Sequence, residues 1–234
     1  MTMQRAVVTG AGQGMGRSIA LKFAANGIHV VLVGRTKEKL QNVATEISAL
    51  GAESTIFPLD VTDNTGVQKL ADSLDGNALD ILVNCAGDWL IKPIDETTDA
   101  DLDHILGVNL KAPYMLVRAL LPNLRRSDNA SIVNIGSMAA MKGIGGISAY
   151  TASKWGLRGL TESLAAELKP HAIRVVMLSP SPANTPMRWD ATPNADPATL
   201  VEPETIADMV WGVVSLPPGI VTSNFTLESL SFGI

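Results

Sequence analysis

Hydrophobic and polar positions along the chain fall into two alternating patterns. Short runs rich in β-branched residues stand at 6–8, 29–33, 54–59, 81–83, 131–135 and 174–178, and each reads as a strand. Between them, apolar residues recur every three or four positions at 15–25, 37–50, 66–74, 99–124 and 149–168, which read as helices. A further helix over 204–216 stops at Pro217-Pro218-Gly219, and 221–227 is one more candidate strand. Strands apolar throughout are buried on both faces, and strands alternating with helices are joined by right-handed crossovers. The expectation is a three-layer, doubly wound α/β fold on a parallel sheet of six to seven strands. Its ligand crevice would lie at the carboxyl ends of the strands. No repeat, low-complexity tract or linker interrupts the pattern, so 1–234 reads as a single domain. The Pro-rich stretch 179–203 is the longest irregular segment, and its length points to a lid rather than a connector.

Composition narrows the functional classes. With 234 residues, 46% apolar and 18% charged, the chain can build a full core and is too apolar for disorder. Its 18 Lys and Arg against 23 Asp and Glu give a net charge of −5, with no basic cluster and only 4% aromatic residues. Neither the electrostatic footprint nor the stacking platform of a nucleic-acid binder is present. Cys85 is the single cysteine, which excludes an intrachain disulfide and points to a reducing compartment. The start Met1-Thr2-Met3-Gln4-Arg5 shows no signal-peptide core, and runs such as Val30-Val31-Leu32-Val33 are too short to span a bilayer. The expectation is a cytoplasmic protein with no membrane partner.

Chemistry enters directly after the first strand, at Thr9-Gly10-Ala11-Gly12-Gln13-Gly14-Met15-Gly16. Glycines there allow a tight turn and let the backbone approach a pyrophosphate, which then rests on the helix N-terminus. A flexible turn is the bland alternative, but a strand precedes this one and a helix follows it. Gly10, Gly12, Gln13, Gly14, Met15 and Gly16 are therefore candidate dinucleotide contacts, and the sheet is expected to be a Rossmann fold. The second strand ends Val33-Gly34-Arg35-Thr36. An acidic residue near this point would bond the ribose 2′-hydroxyl of NAD, whereas an Arg accommodates a 2′-phosphate. Gly34 offers no carboxylate, so Arg35, with Thr36 beside it, favours NADP(H), with NAD(H) as the alternative.

Ser137 closes the fifth strand at its ligand end, and thirteen residues later a helix opens with Tyr150-Thr151-Ala152-Ser153-Lys154. Positions four apart share a helical face, so Tyr150 and Lys154 act on one small volume. Free Tyr titrates near about 10, too high for proton transfer near neutrality, and a neighbouring ammonium lowers it. Ser137 can hydrogen-bond a substrate oxygen while Tyr150 gives or takes its proton.

Taken together, these motifs resemble the short-chain dehydrogenase/reductase family in its compact form, similar to carbonyl and 3-oxoacyl reductases. The matching residues are Thr9-Gly10-x-x-x-Gly14-x-Gly16, Asp60-Val61, Asn84-Cys85-Ala86-Gly87, Asn109, Ser137 and Tyr150-x-x-x-Lys154. The resemblance implies that Asp60 bonds the adenine with Val61 packed beside it, and that Asn84, Ala86 and Gly87 border the adenine ribose. It implies that Asn109 holds a water linking Lys154 to solvent, and that Lys154 bonds the nicotinamide ribose. It also implies that Pro180, Ser181 and Thr185 cover the nicotinamide. The chain departs from the pattern at Cys85 (usually Asn), at Ser181 (usually Gly) and at Gln13, where NADP-preferring members often carry a basic residue. The usual Asp-Gly-Gly near the end is absent; the tail reads Leu227-Glu228-Ser229-Leu230-Ser231-Phe232-Gly233-Ile234.

The implied reaction is hydride transfer between nicotinamide and a carbonyl or secondary alcohol, with ketone or aldehyde reduction favoured and a small-molecule substrate. Asp88, Trp89, Met138, Met141, Ile144, Pro182, Met187 and Trp189 are candidate substrate walls, though Met and Trp also serve as gap fillers. Asp88 either binds a polar substrate group or is solvated. His29, His104 and His171 share no metal-ligand spacing and read as structural or exposed, and Cys85 as a small buried residue. Gly156, Gly159 and Ser163 form a small-residue face on the last long helix before 174. Under the resemblance this face is a subunit contact, giving a homo-oligomer, dimer or tetramer. Two rival classes remain weak. A catalytically idle dinucleotide-binding regulator would lack Ser137, Tyr150 or Lys154, and a serine hydrolase would need Gly-x-Ser-x-Gly around Ser137, where the chain has Ile135-Gly136-Ser137-Met138-Ala139.

Overall fold

A computed structural model describes residues 3–222 and 224–231. Residues 232–234 of the tail noted above lie outside the described residues. Seven strands form one sheet: β1 (Arg5–Thr9), β2 (His29–Gly34), β3 (Ser54–Pro58), β4 (Ile81–Asn84), β5 (Ser131–Ile135), β6 (Arg174–Pro180) and β7 (Phe225–Leu227). Their order is β3-β2-β1-β4-β5-β6-β7, with every neighbouring pair parallel. The helices are α1 (Gly14–Ala25), α2 (Lys37–Ala49), α3 (Asn64–Ser73), α4 (Asp99–Leu106), α5 (Ala112–Leu124), α6 (Ser148–Leu168), α7 (Pro186–Ala191) and α8 (Pro203–Val214).

The period-two alternation of strand side chains sorts the core into two layers. Ala6, Val8, Val30, Leu32 and Val83 pack on one face against α1, α2 and α8. Val7, Val31, Leu82, Ile132 and Val175 pack on the other against α3, α5 and α6. This is the expected three-layer, Rossmann-type α/β fold. The connections reverse direction between β1 and β4, which opens the crevice at their carboxyl ends. Thr9 fastens that point, its hydroxyl donating to the Val83 carbonyl at 3.2 Å and accepting from the Cys85 and Ala86 amides at 3.0 Å each.

Beyond the last strand, shorter than the expected 221–227 at Phe225–Leu227, two elements differ from the sequence expectation. The helix expected over 99–124 is divided by a π-helical turn, Gly107–Lys111, between α4 and α5. Pro113 has no N–H to give the carbonyl four positions back, that of Asn109, so the regular ladder cannot run through. Within 179–203, expected to be irregular, Thr185 accepts from the Arg188 amide and Pro186 opens α7, while Ala183 pairs with Val201 in a parallel bridge. No helix among the described residues is long and apolar enough to cross a membrane.

Candidate functional site

A cleft of about 520 Å³ lies over the β1–β4 reversal. Gly10, Gly12, Gln13, Gly14, Met15 and Gly16 form its floor, with Arg35, Thr36, Lys39, Asp60 and Val61 on one side and Ala86, Gly87, Asp88 and Trp89 on another. Thr185 and Met187 close it from above. The glycines are sterically required where the chain crosses itself. A Cβ on Gly16 would sit 2.2 Å from the Gly10 carbonyl oxygen, and Gly10, at φ +68, lies against the Ala86 backbone. Gln13, at the N-cap of α1, gives no side-chain cap, leaving the first-turn N–H groups without a side-chain acceptor. That is the arrangement a pyrophosphate needs, so these residues fit a dinucleotide.

The Gln13 side chain is used elsewhere: its Oε1 accepts from Lys39 Nζ. Lys39, on the first turn of α2, thereby stands over the glycine loop near Arg35. Sequence reasoning missed it, because only folding brings α2 to the loop; the available signal was a Lys four residues after Arg35. Asp60 has its Oδ1 taken by the Thr62 amide and hydroxyl at 2.9 and 2.7 Å, and these bonds hold its carboxyl below the ordinary range.

Ser137, Tyr150 and Lys154 come together behind Trp89 and not in the open cleft. Lys154 Nζ donates to the Ile135 carbonyl at 3.1 Å and lies 5.6 Å from the centre of the Tyr150 ring. Burial brings the Lys154 ammonium from 10.5 down to about 8. Burial also pushes the Tyr150 phenol up to about 12, with the Ser137 hydrogen bond acting in the opposite direction. Lys154 was expected to lower Tyr150; the shift is instead upward, with desolvation its largest cause. Ser137 also caps a short 3-10 turn, its Oγ accepting from the Ala139 amide at 3.2 Å.

The π turn carries Asn109 inward, 1% exposed. Its side-chain amide accepts from the Asp88 amide and donates to the Asp88 carbonyl, both at 2.9 Å, and donates to Ser153 Oγ at 3.1 Å. The Asp88 carboxylate, half-buried at the cleft, also has partners within the chain. Oδ2 pairs with His104 Nε2 at 2.8 Å, and Oδ1 accepts from the Trp89 amide at 2.8 Å. Cys85 is half-buried at the edge of the cleft, and desolvation pushes its thiol up to about 12.

Comparison with known proteins decides the family. The family model described as short chain dehydrogenase matches residues 4–196. The chain belongs to the short chain dehydrogenase family. A fatty acyl-CoA reductase of Acinetobacter baylyi is 33% identical over 98% of this chain and 79% of its own length. A metagenomic short-chain oxidoreductase solved with NADP is 36% identical at a TM-score of 0.84, covering 96% of each chain. An alcohol dehydrogenase of Thermococcus sibiricus, complexed with 5-hydroxy-NADP, is 25% identical at 0.90, covering 97% of each.

Within this short chain dehydrogenase, several expected site residues stand outside the open cleft. Asn84 is buried beneath it, donating to Asn134 Oδ1 at 2.8 Å. Pro180 ends β6, and Ser181 turns its side chain to the C-terminal segment: its amide donates to the Leu227 carbonyl at 2.7 Å and its Oγ accepts from the Ser229 amide at 3.2 Å. The Pro182 carbonyl accepts from the Val201 amide. Met138 opens the 3-10 turn and Met141 follows it, with Met141 Sδ 3.2 Å from Arg158 Nη1. Ile144 is 41% exposed, and Trp189 donates to Asn184 Oδ1 at 2.8 Å. Gly156 faces Leu110 of the π turn within the same chain, so that part of the small-residue face is interior, while Gly159 faces open space. Among the described residues no group of three or more His, Cys, Asp or Glu is placed to hold a metal.

Proposed function

We propose that the protein is an NADP(H)-dependent oxidoreductase that reduces a ketone or aldehyde, with 1–234 acting as one dinucleotide-binding and catalytic unit. The observation that carries the reaction is the convergence of Ser137, Tyr150 and Lys154 on one buried volume beside the cleft. Bound there, the reduced nicotinamide supplies the hydride. Ser137 orients and polarises the substrate oxygen, and Tyr150 donates the proton to it. Lys154 would hold the nicotinamide ribose, and its ammonium would stabilise the phenolate that Tyr150 leaves on giving up its proton. Asn109, fixed by Asp88 and Ser153, keeps the π turn in place beneath Lys154.

Coenzyme preference rests on Arg35 and Lys39, two cations on the side of the cleft where β2 ends without a carboxylate. Gly10 to Gly16 would cradle the pyrophosphate, Asp60 and Val61 would meet the adenine, and Thr185 would cover the nicotinamide, with the Pro180-Ser181 backbone contributing from outside the open cleft. The fatty acyl-CoA reductase and the NADP-bound oxidoreductase among the relatives support the reductive reading. A cytoplasmic homo-oligomer, dimer or tetramer, is part of the proposal, supported by Tyr114 on α5 and Trp155 on α6, 51% and 46% exposed.

The test is a fluorescence titration with NADPH and NADH at equal ionic strength. NADPH is expected to bind at least about 10-fold tighter, a difference of about 1.4 kcal/mol; Arg35→Ser should reduce that advantage, and Arg35→Ser with Lys39→Ser should erase it, without weakening NADH. Equal or tighter NADH binding overturns the coenzyme assignment and makes NAD-dependent alcohol oxidation the reading to assay.

A further inference from the structure

We propose that Trp89 is the specificity-determining wall of the substrate site, its indole N–H binding an oxygen acceptor that the substrate carries beside its reacting carbonyl. The inference rests on Tyr150 being the proton-transfer group. Trp89 borders the cleft on one side and packs on Tyr150 on the other, with ring centroids 4.6 Å apart at 58°. Tyr150 is only 8% exposed, and this indole is the part of its covering that also lines the cleft.

The indole nitrogen, Trp89 Nε1, is one of five buried side-chain polar atoms without a partner among the described residues, beside those of Asn84, Thr151, Ser179 and Arg188. Buried indole N–H groups ordinarily find an acceptor, as Trp189 does with Asn184 Oδ1 at 2.8 Å. The exception is not slack placement. The Trp89 amide donates to Asp88 Oδ1, both main-chain polar atoms of Asp88 are held by Asn109, and the Asp88 carboxylate is held by His104. The ring is thus carried on a backbone pinned to the π turn and to α4. An unpaired donor in a fixed wall next to the reacting group favours a ligand with a matching acceptor over one without. Because the two rings are in contact, the proposed acceptor is one carried near the reacting carbonyl, as in an oxo ester, and absent from a plain alkyl ketone.

The test compares ethyl acetoacetate with 2-octanone, which has no second oxygen, on the wild-type enzyme, Trp89→Phe and Trp89→His. Turnover is followed with NADPH, and binding to the NADP+ complex by calorimetry. The wild type should favour ethyl acetoacetate in both readouts. Trp89→Phe, which keeps a ring on Tyr150, should lose about 5- to 30-fold for ethyl acetoacetate, mainly in KM, and little for 2-octanone. Trp89→His, which keeps a ring N–H, should recover part of the loss. Absence of preference in the wild type, or equal losses for both ketones in Trp89→Phe, overturns the inference. A binding preference that Trp89→Phe abolishes, without turnover by any variant, upholds Trp89 as the recognition wall and refutes the reductase reading instead.

Discussion

Replacing Lys154 with Met isolates what the buried ammonium costs. Lys154 is 6% exposed, its Nζ donates to the Ile135 carbonyl at 3.1 Å, and burial brings it from 10.5 to about 8. In the unfolded chain the amine returns to its ordinary 10.5. Below pH 8 both states hold the proton, so the cost of burying the charge is present in full. Between pH 8 and 10.5 the unfolded state binds more protons than the native one, and stability rises with pH across that window. At about 1.4 kcal/mol per pH unit, the gap between the two values amounts to about 3 kcal/mol. Met has nearly the same length and no charge, and the lost hydrogen bond to Ile135 subtracts about 1 kcal/mol. Lys154→Met should therefore be about 2 kcal/mol more stable than the wild type below pH 8, a rise in Tm of roughly 4–8 °C for a chain of this size. The advantage should shrink and then reverse as pH climbs towards 10.5. Thermal unfolding followed by circular dichroism at a series of pH values measures it. A variant no more stable than the wild type below pH 8, or an advantage that ignores pH, refutes the reasoning.

Other expectations come from single contacts. Tyr150→Phe should cut turnover by at least about 100-fold while leaving the NADPH dissociation constant nearly unchanged, as read by steady-state kinetics beside a fluorescence titration. Arg174 is 5% exposed, and its guanidinium donates to Ser131 Oγ and to the carbonyls of Leu216, Pro217 and Ile220. Arg174→Met strands those acceptors and should lower unfolding stability in urea by about 2–4 kcal/mol. Gly16→Ala forces a methyl group against the Gly10 carbonyl oxygen and should abolish NADPH binding, which the same titration detects even if the circular dichroism spectrum stays native.

The sheet was legible because its signal is local. Runs such as Val30-Val31-Leu32-Val33 are apolar along their whole length, and burial on both faces is what makes them so. Ser137, Tyr150 and Lys154 were legible for a related reason: a strand end and one helical turn set their spacing. What escaped depends on partners distant in sequence. Nothing near Lys39 announces that α2 will bring it to Gln13, and nothing near Asp88 announces His104, sixteen residues away on α4. The π turn was missed for a subtler reason. The apolar period of 99–124 continues through it, and the only cue is Pro113, whose missing N–H affects a carbonyl four residues earlier. The rise of Tyr150 to about 12 was hidden because burial under Trp89 arises only in the folded chain.

Ser181 looks, in the sequence, like an irregularity in a coenzyme loop. Folded, it is a fastener: its amide and hydroxyl hold Leu227 and Ser229, so the loop above the cleft and the segment after β7 move as one piece. A change made at either end is therefore a change made at both. Grafting a relative's 179–203 segment onto this chain without its matching 225–231 would leave the Ser229 amide unpaired, and the two stretches should be exchanged only as a unit of inheritance.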